Sequence, residues 1–278
     1  MKRNLSKSLD VMKSKCLEEN RLILNEFGEE IESRGLSQST ESNYKWVATR
    51  FLSECNKPIN ELTRNDVLTW FETYWTNKRP TTINHRISIL SILFDFCLSE
   101  GYMQTFPISK FWRPDIPDSL PKFLEVDEQA KLRLYSFNEC LQNRAIFEFL
   151  ISSGVRCQEL IDLKVTDVNL TERSATINHG KGGKQRTVHF SERAAFLLKN
   201  LIDPKSLPTS PIFHDHEGQI MNRKQIYIII SQMAKKAGIS RKVGPHTLRH
   251  TFGTNFVRNG APLRVVGDEL GHKDTAND

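Results

Sequence analysis

Trp112-Arg-Pro-Asp-Ile-Pro-Asp-Ser-Leu-Pro-Lys122 divides this chain of 278 residues in two. Its prolines, Pro114, Pro117 and Pro121, cannot continue a helix, and each biases its predecessor toward extended backbone. The stretch is expected to be a linker, residues 112–122, between a domain at 21–111 and a second at 123–278, with a polar lead-in at 1–20. Upstream, the apolar spacing is helical. Ile23, Phe27 and Ile31 recur every four residues and stop before Gly35, and Tyr44, Val47, Phe51, Leu52 and Cys55 form the next stripe. Thr63 and Asp66 have capping-box spacing ahead of Trp70, Phe71 and Tyr74. Pro80 sits just inside a fourth helix, whose stripe runs Ile83, Ile87, Leu90, Phe94 and Leu98 before Gly101. Four such helices predict a compact bundle.

Downstream, helices are expected at about Asp127–Phe137 and at Gln142–Ser153, the latter ending at Gly154. The pattern then changes. Ser174-Ala-Thr-Ile-Asn-His179 and Thr187-Val-His-Phe190 are β-prone and flank Gly180-Lys-Gly-Gly-Lys-Gln-Arg186, which predicts a hairpin. Ile226, Ile229, Ile230, Met233, Ala234 and Ala237 give a further helical stripe closed by Gly238. The expected fold is mainly α: a four-helix N-terminal domain, then an α+β domain with a small antiparallel sheet.

Composition narrows the function. At 38% hydrophobic and 26% charged residues the chain has the balance of a soluble globular protein. Its longest obvious apolar run, Ile226–Ile230, is far short of the ~18 residues of a membrane span. Met1-Lys-Arg-Asn-Leu-Ser-Lys7 lacks the apolar region of a secretory signal, so a cytoplasmic, nucleoid-associated location is expected. Cys16, Cys55, Cys97, Cys140 and Cys157 are scattered, without a Cys-x-x-Cys pair, which suits free thiols and neither a zinc knuckle nor a disulfide framework. The net charge of +6 is unevenly spread: Glu125–Glu172 carries 5 basic and 9 acidic residues, a net of −4, whereas Arg173–Arg249 carries 14 and 4, a net of +10. A basic segment of that size nominates a polyanion as partner; a solvated basic surface has the same composition.

Gly180-Lys-Gly-Gly-Lys lacks phosphate-loop spacing and joins two strands where such a loop leads into a helix. With Lys181, Lys184 and Arg186 the turn is still suited to approach DNA phosphates. His246-Thr-Leu-Arg-His250 puts two histidines on one helical face, as zinc sites do, but lacks the metalloprotease glutamate and sets Arg249 beside any metal. His214 and His216, around Asp215 and before Gly218, suggest an exposed turn. Arginine forks bind two phosphate oxygens at once, so Arg249 fits phosphoryl transfer. A second isolated arginine, Arg156, follows Gly154, with Glu159 three residues on and on the same helical face. Taken alone, Arg156 and Glu159 could equally form a surface ion pair of little energetic weight.

Taken together, Gly154-Val-Arg-Cys-Gln-Glu-Leu160, Gly180-Lys-Gly-Gly-Lys-Gln-Arg186, His246-x-x-Arg249-His250 and Leu270-Gly-His272 resemble, in order and spacing, the motifs of the tyrosine recombinase (phage integrase) family. Leu36-Ser-Gln-Ser-Thr40 leading to Tyr44, and Arg79-Pro-Thr-Thr-Ile-Asn84, are similar to that family's helical, SAM-like core-binding domain. The length is more like Xer-type or transposon-encoded members than large phage integrases.

The resemblance implies that Arg156 and Arg249 clamp the scissile phosphate, His246 and His272 donate hydrogen bonds to it, and Lys181 protonates the departing 5′ oxygen. Glu159 and His250 would support these groups, and Lys184, Arg186, Arg79, Thr81 and Thr82 would contact DNA. It implies a 3′-phosphotyrosyl intermediate with no cofactor, metal or nucleotide, a two-domain clamp on a double-stranded recombination site, and a homotetramer exchanging strands through a Holliday junction. One departure stands out. The tyrosines are Tyr44, Tyr74, Tyr102, Tyr135 and Tyr227, and none follows His272, where the family places its nucleophile. The 278 residues are therefore expected to bind DNA without cleaving it, with a nucleophile-bearing tail missing. The alternative is a naturally noncatalytic DNA-binding regulator of recombination sites.

Overall fold

The computed structural model describes residues 9–75, 77–109, 112–116, 123–178 and 185–261. These belong to two compact units, Met1–Asp118 and Ser119–Asp278. The first contains α1 (Glu18–Ser33), α2 (Gln38–Cys55), α3 (Arg64–Trp75) and α4 (Pro80–Ser99). Each start has a local cause. The Ser37 hydroxyl accepts from the Thr40 N–H at 3.3 Å ahead of α2. Ahead of α3, the Asp66 N–H donates to Thr63 Oγ1 (3.2 Å) while the Thr63 N–H donates to Asp66 Oδ2 (2.9 Å), the reciprocal cap its spacing predicted. Pro80 occupies the first turn of α4, where a missing N–H loses nothing.

Phe27, Ile31, Phe51, Leu52, Leu90 and Phe94 form the centre of this bundle. Phe51 meets Trp70 and Phe94 edge-on at 5.1 and 5.5 Å, pairs that each add about 0.5–1.5 kcal/mol beyond their burial. Helix α1 starts ahead of residue 21 because Asn20 is wholly buried. Its amide donates to the Lys57 carbonyl (2.7 Å) and accepts from the Ile59 N–H (3.1 Å), tying α1 to the turn after α2. The start of the proline-rich stretch is also docked on this unit: Arg64 lies over the Trp112 ring at 5.4 Å, and the Asn84 amide donates to the Pro114 carbonyl at 3.0 Å. Residues 117–122 lie outside the described residues.

The second unit contains α5 (Val126–Ser136), α6 (Leu141–Ser153), α7 (Cys157–Ile161), β1 (Val168–Asn169), β2 (Ser174–Ile177), β3 (Arg186–His189), α8 (Glu192–Leu201), α9 (Arg223–Lys236) and α10 (Pro245–Arg258). Strands β2 and β3 are the expected hairpin, antiparallel, with Ala175 opposite Val188 and Thr176 opposite Thr187. Strand β1 adds a third, antiparallel to β2, and is too short to carry any alternation. Helix α8 was not foreseen either, although Ser191 caps it by accepting from the Ala194 N–H (3.2 Å) and Ala194, Leu197 and Leu198 give it one buried face. Helix α6 is the centre of the unit: every residue from Ala145 to Ile151 is buried, including Phe147, Phe149 and Leu150. Gly154 (φ +62°) ends it in the left-handed region, which glycine enters without steric cost. Among the described residues, no helix is long and apolar enough to cross a membrane.

Candidate active site

The turn from α6 to α7 and the start of α10 meet in the second unit. After Gly154 the chain reverses, and Arg156 becomes the residue that opens α7. Its backbone N–H donates to Glu159 Oε2 at 2.7 Å and its Nη1 to Glu159 Oε1 at 2.9 Å. Arg186, the first residue of β3, approaches the same carboxylate from the other side, with Nη1 on Oε1 and Nη2 on Oε2, both at 2.8 Å. Arg249, from α10, donates through Nη1 to the carbonyl oxygen of Gly154. Gly154 thus joins the two arginine segments. It also lets Phe252 of α10 pack against the turn, since a Cβ there would lie 2.3 Å from Phe252 Cδ1.

Two guanidiniums therefore hold one carboxylate, and Arg249 lies close enough to feel its charge. Glu159 is 6% exposed. Burial alone would raise its pKa, but hydrogen bonds from Arg186 and from the Arg156 backbone and side chain outweigh that and hold it at about 2. Arg249 is 5% exposed. Burial first, and then the neighbouring charge of Arg156, pull it down to about 10, with Arg186 adding to the shift and Glu159 opposing it. The carboxylate does not offset all the positive charge near Arg249, and an incoming anion would relieve the remainder.

Beside this group an open cavity of about 550 Å³ is lined by Arg156, Arg223, Tyr227, Lys242, His246 and Arg249, among others, and no carboxylate belongs to the described residues of its wall. His246 stands in the first turn of α10, where unpaired N–H groups and the helix dipole also favour an anion. The Tyr227 ring lies flush on Gly244, where a Cβ would come within 2.7 Å of Cε2. His250 is exposed one turn after His246, with the rings edge-on at 4.8 Å.

Arg156, Glu159, Arg186, His246 and Arg249 are thus brought together. Arg186 points inward: its side chain is 14% exposed and both Nη atoms bind Glu159. The period of two along β3 carries that signal, because it puts Arg186 on the face of buried Val188. Lys181, Lys184 and His272 lie outside the described residues. Arg79 and Thr81 are exposed and Thr82 half-buried at the start of α4, in the other unit, where the Arg79 carbonyl accepts from the Thr82 N–H at 2.8 Å. His214 and His216 flank the expected turn, in which Asp215 Oδ1 accepts from the Glu217 and Gln219 N–H groups at 3.0 and 2.9 Å. Sequence reading missed Arg223 and Lys242 as wall residues. Lys242 had one available cue, its place just ahead of Gly244 and Pro245 at the start of α10.

Comparison with known proteins gives the family of the chain. The sequence pattern of the phage integrase family matches residues 121–277. The chain belongs to the phage integrase, or tyrosine recombinase, family. The N-terminal SAM-like domain of phage integrases matches residues 23–103, so the four-helix bundle and the mixed unit are the two parts of this family's architecture. Tyrosine recombinase XerC of Thermodesulfovibrio yellowstonii is 34% identical over 207 residues, covering 70% of this chain and 68% of the relative. Tyrosine recombinase XerD of Listeria innocua is 30% identical over 260 residues, covering 88% and 87%. Lambda integrase, solved as a tetramer bound to a Holliday junction, shares the fold with a TM-score of 0.73, at 18% identity over 92% of this chain and 78% of its own.

The carboxylate of this phage integrase also predicts a pH effect. Because Glu159 is held at about 2 in the folded protein against an ordinary value of 4.5, its contribution to stability is present above pH 4.5 and is lost as the pH falls toward 2. The loss amounts to at most about 3 kcal/mol. Urea midpoints at pH 6 and pH 3 should therefore lie closer together in Glu159→Gln than in the wild type. Equal separations would contradict the shift.

Proposed function

We propose that this chain acts in site-specific DNA recombination, holding a scissile phosphate between Arg156 and Arg249 while one strand is broken and rejoined. The observation that carries the reading is the convergence of these two guanidiniums on a cavity whose described wall is cationic and free of carboxylates. Two guanidiniums can share the two nonbridging oxygens of the phosphodiester and hold the phosphorus in line for attack. His246 donates to the same oxygens as charge grows on them in the transition state. By family resemblance, His272 adds a second donor and Lys181 gives a proton to the departing 5′ oxygen.

The reaction balances without an external energy source. A tyrosine oxygen bonds to phosphorus as the P–O5′ bond breaks, which yields a 3′-phosphotyrosyl link and a 5′-hydroxyl; attack by the 5′-hydroxyl of another strand reverses the step and frees the tyrosine. Exchange between two duplexes needs four active sites, and lambda integrase binds a Holliday junction as a tetramer. We assign the same assembly on double-stranded DNA to this chain when its catalytic set is complete.

None of the five tyrosines follows His272. Tyr227 lines the cavity, but its ring is held against Gly244, and we assign it contact with DNA rather than attack. The polypeptide of 278 residues is therefore proposed to bind duplex DNA and leave it uncut. The test of the enzymatic reading is the native gene's product: a tyrosine in residues that follow Asp278 there, found by intact mass and peptide mapping, is expected, and its absence would overturn the reading.

Duplex binding should weaken by about 10³-fold or more between 50 and 200 mM salt, as expected for six or more phosphate contacts. A flat response in a gel-shift titration would overturn the reading. Incubation of the 278-residue protein with end-labelled duplex should yield no covalent adduct, and Tyr227→Phe should bind within about threefold of wild type, in the range of a single lost hydrogen bond. An adduct that Tyr227→Phe abolishes would make Tyr227 the nucleophile and refute the assignment.

A further inference from the structure

Glu159 has two partners with different outlooks. Arg156 faces the cavity, with its side chain 30% exposed, whereas Arg186 lies behind the carboxylate, 14% exposed and set by β3, where it stands opposite Ile177. Both carboxylate oxygens accept from Arg186 in parallel, while Arg156 reaches one oxygen by its side chain and the other only by its backbone N–H. The bidentate pair is the stronger claim on the carboxylate's charge. Without it, Glu159 and Arg156 would be left as a one-to-one ion pair, and Arg156 would meet an incoming phosphate already neutralised.

We propose that Arg186 is a positioning residue for phosphate recognition: by occupying both oxygens of Glu159, it lets that carboxylate orient Arg156 without neutralising it. The idea rests on the phosphate-site reading above. It gives the Arg186–Glu159 pair a use beyond the stability it lends above pH 4.5. It also accounts for the inward turn of Arg186, although it follows the basic run that holds Lys181 and Lys184. Arg186 acts through Glu159 and not on the nucleic acid.

The test is a double-mutant cycle read by calorimetric titration of inorganic phosphate into the 278-residue protein at low ionic strength, with thermal melts as a folding control. Arg186→Gln should weaken phosphate binding about tenfold, the size expected when one charge near the site loses its compensation. In the Glu159→Gln background, measured against Glu159→Gln itself, the same change should cost less than about twofold. A purely structural ion pair predicts that affinity falls only as far as the thermal melts show loss of folded protein. Simple removal of a nearby positive charge predicts the same tenfold loss in both backgrounds. Either result would overturn the proposal, as would unchanged binding in Arg186→Gln. Arg186→Lys gives a second arm should Arg186→Gln fail to fold: it keeps the charge but cannot hold both oxygens, so a smaller loss is expected, again erased by Glu159→Gln, and a loss that persists there counts against the idea. Failure of the wild type to bind phosphate, or binding that survives Arg249→Gln, would instead overturn the parent reading of the cavity.

Discussion

Arg249→Ala is expected to lower DNA strand cleavage by at least about 10³-fold while leaving duplex affinity within about fivefold. The reason lies in where its charge is used. The guanidinium is buried against the Gly154 carbonyl and beside Arg156, and burial with that neighbouring charge makes its cationic form costly before DNA arrives. A ground-state phosphodiester relieves part of this penalty. A transition state with more charge on the nonbridging oxygens relieves more, so removing Arg249 falls mainly on rate. Duplex affinity, in contrast, is spread over many phosphate contacts of which this is one. The comparison should be made on the product of the native gene, with gel shifts for binding and covalent adduct yield for cleavage. Equal losses in both would deny Arg249 a transition-state role.

Gly154→Ala should destabilise the second unit by about 2–5 kcal/mol, the sum of left-handed backbone strain and overpacking. The added methyl would lie 2.3 Å from Phe252 Cδ1 and 2.8 Å from Cγ, the body of the ring and not a flexible tip. Phe252 is only 9% exposed and stacked on Phe256 at 5.1 Å, so it has no open path away. Gly35→Ala is the matched control. Its φ is +60° and nothing lies within 4 Å of its virtual Cβ, so it should lose only the backbone part, about 1–2 kcal/mol. Urea denaturation of the two variants measures the difference. Equal losses would mean that Phe252 yields and that packing at the turn contributes little.

Much of this was legible in the chain alone. The four N-terminal helices, α5, α6, α9 and the β2–β3 hairpin follow from spacing and caps that act within a few residues. Thr63 with Asp66, Pro80 and Gly154 mark their boundaries by the same short-range chemistry. The pairing of Arg156 with Glu159 was legible too, because residues three apart on a helix share a face. Strand β1 was not, since two residues carry no period. Helix α8 is marked in the sequence only by its cap at Ser191 and by the short stripe of Ala194, Leu197 and Leu198, over ten residues.

The order of the motifs, the two-part division and the kinds of group in the site depend on residue type and local spacing, and so can be read along the chain. Which groups share a charge depends on packing between segments far apart in it. Arg186 lies 27 residues from Glu159, and Arg249 lies 95 from Gly154, yet each pair is in direct hydrogen-bond contact. Alternation along β3 could say that Arg186 points inward, but not that a carboxylate waits there. Nor could any local rule show that the ring of Phe252 needs a glycine at 154, or that Arg223 and Lys242 complete a cationic wall with Arg156. Such contacts form where separate helices and strands pack, and their strength depends on burial that exists only after they have done so.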